Sequence, residues 1–177
     1  MSIREATIEM HNAVEETVFA KKMIEGKLTK EDYVRYLNAQ WVIFNAMESR
    51  HFLHDEFSFI RKNESIRRLK SIEDDLASLG ERVDGIHMPA ASFDYANFLS
   101  SLTDEVEQNS HIYLNYMGMM FGGGIVAKNN YSEGNLYKFD NRTEVIASIR
   151  TLEVGANYVN QGFYYHIDIF NDLENPI

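Results

Sequence analysis

Apolar side chains recur every three or four residues along most of this chain, a spacing that places them on one face of an α-helix. The first stripe consists of Ile3, Thr7, Met10, Val14 and Val18. Ser2 and Glu5 stand before it at the spacing of a capping box. We therefore predict a first helix over about 3–24, which Gly26 ends because glycine readily adopts the left-handed conformation found after a helix C-terminus.

The same pattern divides the rest of the chain into helices separated by polar or glycine-containing breaks. An aromatic-rich helix is predicted from the Thr29–Asp32 cap to the break at Lys62–Glu64, followed by a short helix over about 65–79 that ends at Gly80. After a loop over 85–92 that contains Pro89, a further helix is predicted over about 92–128. A turn-rich loop over 129–141 then leads to a last helix from the Asn141–Glu144 cap to Leu173. No segment alternates between apolar and polar residues for long enough to predict a strand.

Composition favours a single all-α domain over residues 1–177. With 177 residues, of which 45% are hydrophobic, the chain is long enough to bury one sizeable core. It has only two prolines, Pro89 and Pro176, so long helices can run without interruption.

Charge and cysteine content exclude several classes of function. The formal net charge of -10 argues against nucleic acid as a partner, because phosphate binding needs clustered Lys and Arg. Without cysteine the chain has no disulfide, thiolate ligand or thiol nucleophile. Its start lacks the pattern of a secretory signal, and its longest weakly polar run, about 112–127, is shorter than the roughly 20 residues of a membrane span. We expect a cytoplasmic protein that binds a small molecule and no membrane.

His11 is the first candidate for chemistry. Glu15 lies four residues later on the same helix face, so its carboxylate can support one ring N–H and fix which nitrogen faces a metal. The alternative is a partly exposed helical histidine paired with a glutamate, which needs no ligand. The two residues alone leave both alternatives open.

A glycine-rich segment over residues 118–124 is the second candidate. Four of its seven residues are glycine, and each glycine inside a helix costs about 1 kcal/mol relative to alanine. A planar ligand lying against the bare backbone would explain this composition. The alternative is a helix-packing notch formed by Gly118 and Gly122, with the following glycines bending the helix.

Three segments of the chain resemble the heme oxygenase family. They are the run Arg4–His11 with Val14 and Glu15, the run His111–Gly123, and the run Gly162–Leu173. The first is similar to the family's proximal helix with its axial histidine, the second to the distal helix, and the third to the final helix that lines the pocket. Together they imply an all-α heme oxygenase fold of the soluble bacterial type, with heme between the first helix and a kinked, glycine-rich distal helix.

The resemblance also implies roles for individual residues. His11 would ligate the heme iron, and Glu15 would steady its ring. The other cofactor-binding residues that it implies are Arg4 and Tyr113 at the propionates, Val14, Phe163 and Phe170 beside the macrocycle, Gly118, Met119, Gly122 and Gly123 on the distal side, and Arg150 as a further propionate candidate together with Lys138 and Arg142.

Met119 departs from the family's pattern. Many members carry an aspartate directly after the first distal glycine, where it anchors the water that delivers protons during the reaction. A thioether cannot relay a proton. We therefore hypothesise that Asn115, His166 or backbone carbonyls near Gly118 organise this water, which makes these three residues and His11 the candidate catalytic set.

The activity implied by the resemblance is oxidative cleavage of heme to biliverdin, Fe(II) and CO. Heme would be substrate and cofactor, O2 the oxidant, and a ferredoxin or flavin reductase the electron donor. One alternative is a heme-binding or heme-sensing protein that has lost turnover through Met119. The other is a non-heme di-iron oxidase on the same scaffold. The side chains that could hold such irons, unless they simply form solvated helix faces, are Glu48, His51, His54, Glu105, Glu107 and His111.

Overall fold

The computed structural model describes residues 1–49, 58–126, 129 and 131–176. Within these ranges the chain is helical and contains no strand, as predicted. The α-helices are α1 (Ile3–Glu15), α2 (Val18–Ile24), α3 (Lys30–Met47), α4 (Phe59–Lys62), α5 (Leu69–Ser78), α6 (Ala90–Ser101), α7 (Glu105–Val126), α8 (Arg142–Ile149) and α9 (Ala156–Glu174). Short 3-10 helices occur at Glu64–Ile66, Gly85–His87 and Asn135–Tyr137. None of the described helices is long and apolar enough to cross a membrane.

Several helix ends agree with the sequence prediction. Capping boxes form at Ser2–Glu5 and at Thr29–Asp32, where each cap side chain accepts a backbone N–H and each carboxylate accepts the N–H of the cap. Gly26 and Gly80 have φ angles of 68° and 76° and follow the ends of α2 and α5. These signals are local, so no tertiary information is needed to place them.

The predicted first helix is wrong in its middle, because it is two helices. Thr17 has an extended backbone, and its Oγ1 accepts a hydrogen bond from the N–H of Ala20 at 3.3 Å, which begins α2 as a separate element. The chain turns at this point. Val18 is consequently 55% exposed, although its spacing placed it on the inward stripe.

The predicted second helix is also too long. α3 ends at Met47, and the carboxylate of Glu48 accepts the N–H groups of Arg68 and Leu69 at 2.5 and 3.3 Å, which caps the start of α5. Part of the predicted continuation, residues 50–57, lies outside the described residues. The segment predicted as one helix over 65–79 is a 3-10 turn followed by α5.

Two further predicted helices divide in the same way. The helix predicted over 92–128 is α6, which already starts at Ala90, followed by α7, while residues 127 and 128 lie outside the described residues. The two helices are separated where Asp104 accepts the N–H of Glu107 at 3.0 Å and α7 begins. The last predicted helix consists of α8 and α9, separated by residues 150–155. Asn141 precedes α8, but its side chain makes no capping hydrogen bond because its backbone is left-handed, with φ 52°.

α9 organises the packing around the site. It lies against α1, α2, α3, α6 and α7. The rings of Phe19 on α2 and Phe170 on α9 stack with centroids 5.7 Å apart, and Phe19 also stacks on Tyr36 of α3 at 6.4 Å. This aromatic contact holds α2, α3 and α9 together at the floor of a cavity.

Candidate functional site

A cavity of about 180 Å³ opens between α1, α2 and α3 on one side and α7 and α9 on the other. Its wall is mostly apolar. It collects most of the residues that the sequence assigned to a site: His11, Val14, Glu15, Asn115, Gly118, Met119, Gly122, Phe163, His166 and Phe170. Residues more than 150 positions apart along the chain therefore share one cavity.

His11 presents its imidazole to this cavity from the third turn of α1. Its side chain is 49% exposed, and its ring meets that of Phe163 edge to face with centroids 5.8 Å apart. Nε2 lies 3.7 Å from a carboxylate oxygen of Glu15, which is beyond direct hydrogen-bond distance but close enough for a bridging water. Rotation about the bond to the ring can bring either nitrogen to the cavity. The ring is thus accessible, oriented and beside a carboxylate.

Gly118 and Gly122 lie on α7, one turn apart, and both line the cavity. Apart from the backbone of α7 itself, a Cβ atom built on either glycine would meet no atom of the described residues within 4 Å. A packing notch would bring atoms of a neighbouring helix into that space, so the packing alternative fails at these two positions. The space left by the missing side chains of Gly118 and Gly122 is therefore part of the cavity.

Gly123 and Gly162 have the opposite surroundings. A Cβ on Gly123 would lie 2.6 Å from the Cβ of Tyr137, and one on Gly162 would collide with the side chain of Leu114. These two glycines are required by packing inside the protein. Gly123, which the resemblance placed over the distal face, does not line the cavity.

Met119 lies between the two open glycines and is only 8% exposed. Its side chain lines the cavity and belongs to the hydrophobic core. It therefore provides apolar wall at the position where a carboxylate would provide a charged acceptor.

The polar part of the cavity wall is a pair of side chains from α7 and α9. Nε2 of His166 lies 2.9 Å from Oδ1 of Asn115, and both residues are buried. Burial lowers the pKa of His166 to about 4, so the imidazole is neutral near pH 7. The structure thus brings together the two side chains hypothesised to organise water.

Gln40 is a second polar group on the wall, which the sequence did not indicate. It is 1% exposed, and its Oε1 is buried without a hydrogen-bond partner among the described residues. Turning the amide over would only exchange an unpaired acceptor for an unpaired donor. One turn earlier, Tyr36 accepts a hydrogen bond from the hydroxyl of Tyr137 at 3.0 Å. Gln40 lines the cavity, but its Oε1 has almost no accessible surface, so this oxygen does not itself face the open space.

The remaining predicted residues do not line the cavity. Arg4 and Arg150 are exposed, and Tyr113 is half-buried against the core. Lys138 is exposed on the loop after the third 3-10 helix. Arg142 donates to the carbonyl of Met120 at 3.0 Å and lies over the ring of Phe121, so its guanidinium joins α8 to the outer side of α7.

Those of the side chains proposed for a non-heme metal site that the structure describes do not form one. Glu48 caps α5 and also accepts a hydrogen bond from the hydroxyl of Tyr116 at 3.0 Å, while His51 and His54 lie outside the described residues. His111 is fully buried, and burial together with nearby His166 lowers its pKa to about 4. In the described ranges no three histidine, aspartate or glutamate side chains converge as a metal site would require.

Comparison with known proteins gives a consistent family. The profile of the family "Heme oxygenase" matches residues 1–169. The chain is 26% identical to the heme oxygenase of Rhodella violacea over 142 residues, or 77% of this chain and 60% of that protein. It is 24% identical to heme oxygenase 2 of Macaca fascicularis over 202 aligned positions, or 97% and 64% of the two chains. It thus spans about three fifths of the length of these curated relatives.

Solved structures show the same fold. Heme oxygenase-1 of the cyanobacterium Synechocystis, in complex with heme, superimposes with a TM-score of 0.80 at 19% identity, covering 97% of this chain and 90% of that one. The heme oxygenase of Leptospira interrogans superimposes with a TM-score of 0.80 at 23% identity, covering 97% of this chain and 100% of that one.

Proposed function

Because the chain belongs to the heme oxygenase family, we propose that it binds heme in the cavity between α1 and α7 and cleaves it to biliverdin, Fe(II) and CO. O2 would be the oxidant, and a ferredoxin or flavin reductase would supply the electrons in the cytoplasm. The observation that supports this proposal best is the open space at Gly118 and Gly122 in the cavity that His11 also lines.

The residues present suit heme. A neutral imidazole is a common axial ligand of heme iron, and the ring of His11 is accessible from the cavity. Bare backbone at Gly118 and Gly122 lets a flat macrocycle lie close to α7, and Phe163 and Phe170 offer apolar surface to its faces and edges. Bound heme would supply the iron centre at which O2 is reduced.

The protein's own groups would orient the reaction. Glu15 would hold the imidazole of His11 through a hydrogen bond or one water, which fixes the ring orientation. Asn115 and His166 would order water on the opposite side of the cavity, in the role that the family's aspartate has. Met119 and the aromatic rings would exclude bulk water.

A two-step experiment tests this function. Purified protein is titrated with hemin while the Soret band is followed, and an electron donor is then added under air. We expect a Soret shift that saturates at one hemin per chain, followed by the appearance of biliverdin absorbance. His11→Ala should bind hemin without the axial-histidine spectrum and should form no biliverdin. An identical spectrum in His11→Ala would overturn the ligand assignment, and the absence of any Soret shift would overturn the function.

Met119 supports one second candidate, a heme-binding protein without turnover. A buried thioether provides no charged acceptor for the water of the distal side. In the same experiment this protein would show the Soret shift and then a stable band after reduction under air. Biliverdin formation would eliminate it.

A further inference from the structure

His166 and Asn115 belong to a longer buried chain of hydrogen bonds. The Nδ2 atom of Asn115 donates to the hydroxyl of Tyr95 at 3.0 Å, and this hydroxyl lies 2.7 Å from Nδ1 of His111. Tyr95 on α6 and His111 on α7 are both 0% exposed. The chain therefore runs from the cavity wall into the core between α6, α7 and α9.

The orientation of the Asn115 amide follows from its own helix. Nδ2 also lies 2.8 Å from the backbone carbonyl of His111, one turn earlier, and a carbonyl can only accept. The NH2 group must therefore be on that side, and the oxygen Oδ1 must face His166. An oxygen acceptor requires a donor, so Nε2 of His166 carries its proton.

The other ring nitrogen of His166 is consequently a bare acceptor. A neutral imidazole has one N–H only, and here it is on Nε2. No described residue makes a hydrogen bond to Nδ1, and this atom is not among the fully buried polar atoms that lack a partner, so it borders accessible space. Because His166 lines the cavity, Nδ1 is placed to accept a hydrogen bond from water or a hydroxyl group there.

The hydroxyl of Tyr95 accepts from Asn115, and the acceptor within reach of its own proton is Nδ1 of His111. His111 then carries its proton on Nε2, which is buried without a hydrogen-bond partner among the described residues. The ring of Tyr95 is stacked on Tyr165 with centroids 4.7 Å apart and an angle of 12° between the planes. Turning the Asn115 amide over would set Oδ1 against the His111 carbonyl, and the Tyr95 hydroxyl could follow only by turning to donate to Oδ1, which takes its proton away from Nδ1 of His111. Without the Tyr95 hydroxyl, only the contact with the carbonyl opposes this turn.

We infer that Tyr95 is a positioning residue that locks the Asn115 amide and thereby keeps His166 in the Nε2–H tautomer, with Nδ1 offered to the cavity as an acceptor. Its contribution to heme cleavage rests on the proposed function. The tautomer itself does not, because it is set by contacts that exist without heme.

The experiment reads the tautomer in heme-free protein. Long-range ¹H–¹⁵N correlation spectra near neutral pH distinguish an N–H nitrogen from a bare one in each histidine ring, and loss of signals in His166→Gln assigns those of His166. In wild type we expect the Nε2–H pattern alone. A dominant Nδ1–H pattern or a charged ring in wild type would overturn the inference before any Tyr95 variant is made.

Tyr95→Phe then tests the role of the hydroxyl. We expect the His166 signals to move towards a mixture of tautomers, and we expect biliverdin formation to fall on the order of tenfold while hemin affinity stays within about twofold. The matched control is Tyr165→Phe, which removes the hydroxyl of the tyrosine stacked on Tyr95 but none of the hydrogen bonds of this chain. An unchanged His166 pattern in Tyr95→Phe would refute the positioning role. If Tyr95→Phe shifts the tautomer as expected but wild type binds no hemin, only the heme function is refuted.

Discussion

Replacing Gly118 or Gly122 by alanine should make the heme-free protein more stable and its heme binding weaker. Both residues lie inside α7, and neither has a positive φ angle that an alanine would strain. In the part of the chain that the structure describes, a methyl group at either position meets no atom within 4 Å other than the backbone of α7. The substitution therefore removes the helix penalty of glycine without creating a collision within the protein.

The gain in stability can be worked out from helix propensity. Alanine is favoured over glycine inside a helix by about 1 kcal/mol, so each variant should gain about that much free energy of unfolding. For a domain of this size, 1 kcal/mol corresponds to a rise in Tm of about 2–4 °C. The double variant should gain about twice as much if the two sites, one turn apart, act independently.

The loss in binding follows from the same open space. If a macrocycle occupies the surface of α7, the new methyl group overlaps it, and overpacking of this kind costs about 1–3 kcal/mol. Hemin affinity should therefore fall by roughly tenfold or more for each variant. Urea denaturation of heme-free protein measures the first effect, and hemin titration followed at the Soret band measures the second.

Gly123→Ala is the matched control, one residue further along α7. Its Cβ would lie 2.6 Å from that of Tyr137, so this variant should lose about 1–3 kcal/mol of stability in the heme-free protein. The reasoning is refuted if Gly118→Ala and Gly122→Ala destabilise the heme-free protein as Gly123→Ala does, or if they bind hemin as tightly as wild type.

Two further predictions concern the polar wall. Gln40→Met should raise the free energy of unfolding by about 1 kcal/mol, because it removes a buried unpaired acceptor. A fall in stability on urea denaturation would show that the amide is fully satisfied in the folded state. The free energy of unfolding should also fall as the pH is lowered. His111 and His166 have pKa values of about 4 in the folded protein, against an ordinary value of 6.5. Below pH 6.5 the unfolded chain therefore binds protons that the folded chain does not take up until about pH 4. Each ring then contributes a loss of about 3 kcal/mol across that window, and His166→Gln should show a shallower decline than wild type in denaturation curves from pH 7 to 4.5.

The sequence predicted the helical class and the starts of α1, α3 and α8 because those signals are local. Hydrophobic spacing and capping residues act within a few positions, as at Ser2 and Thr29. It did not predict the breaks at Thr17 and at Leu102–Asp104. There the capping residue, Thr17 or Asp104, lies inside an apolar spacing that continues past it, so the cap alone does not distinguish a new helix from a polar residue within a longer one.

The site residues also differ in whether a local sequence signal could indicate them. The open glycines were indicated because glycines inside a helix are unusual in themselves, whereas the pair of His11 and Glu15 was indicated only together with the resemblance of three segments to a family. Gln40 and Tyr95 were not indicated, because a glutamine or a tyrosine on a helix carries no signal until its neighbours are known. What distinguishes them is tertiary: an unpaired buried oxygen in one case and a hydroxyl between two polar side chains in the other.

The side chains at positions 119 and 166 depend on each other, because the charge at position 119 affects whether the imidazole of His166 is protonated. A carboxylate at position 119 would line the same cavity as His166, and a nearby negative charge favours the protonated imidazole. Protonation would place hydrogens on both ring nitrogens and abolish the acceptor at Nδ1. An apolar side chain at position 119 leaves burial as the cause of the low pKa of His166, so the ring stays neutral and keeps its acceptor. Under the proposed function, an apolar side chain at position 119 is therefore a condition for His166 to accept a hydrogen bond from water in the cavity.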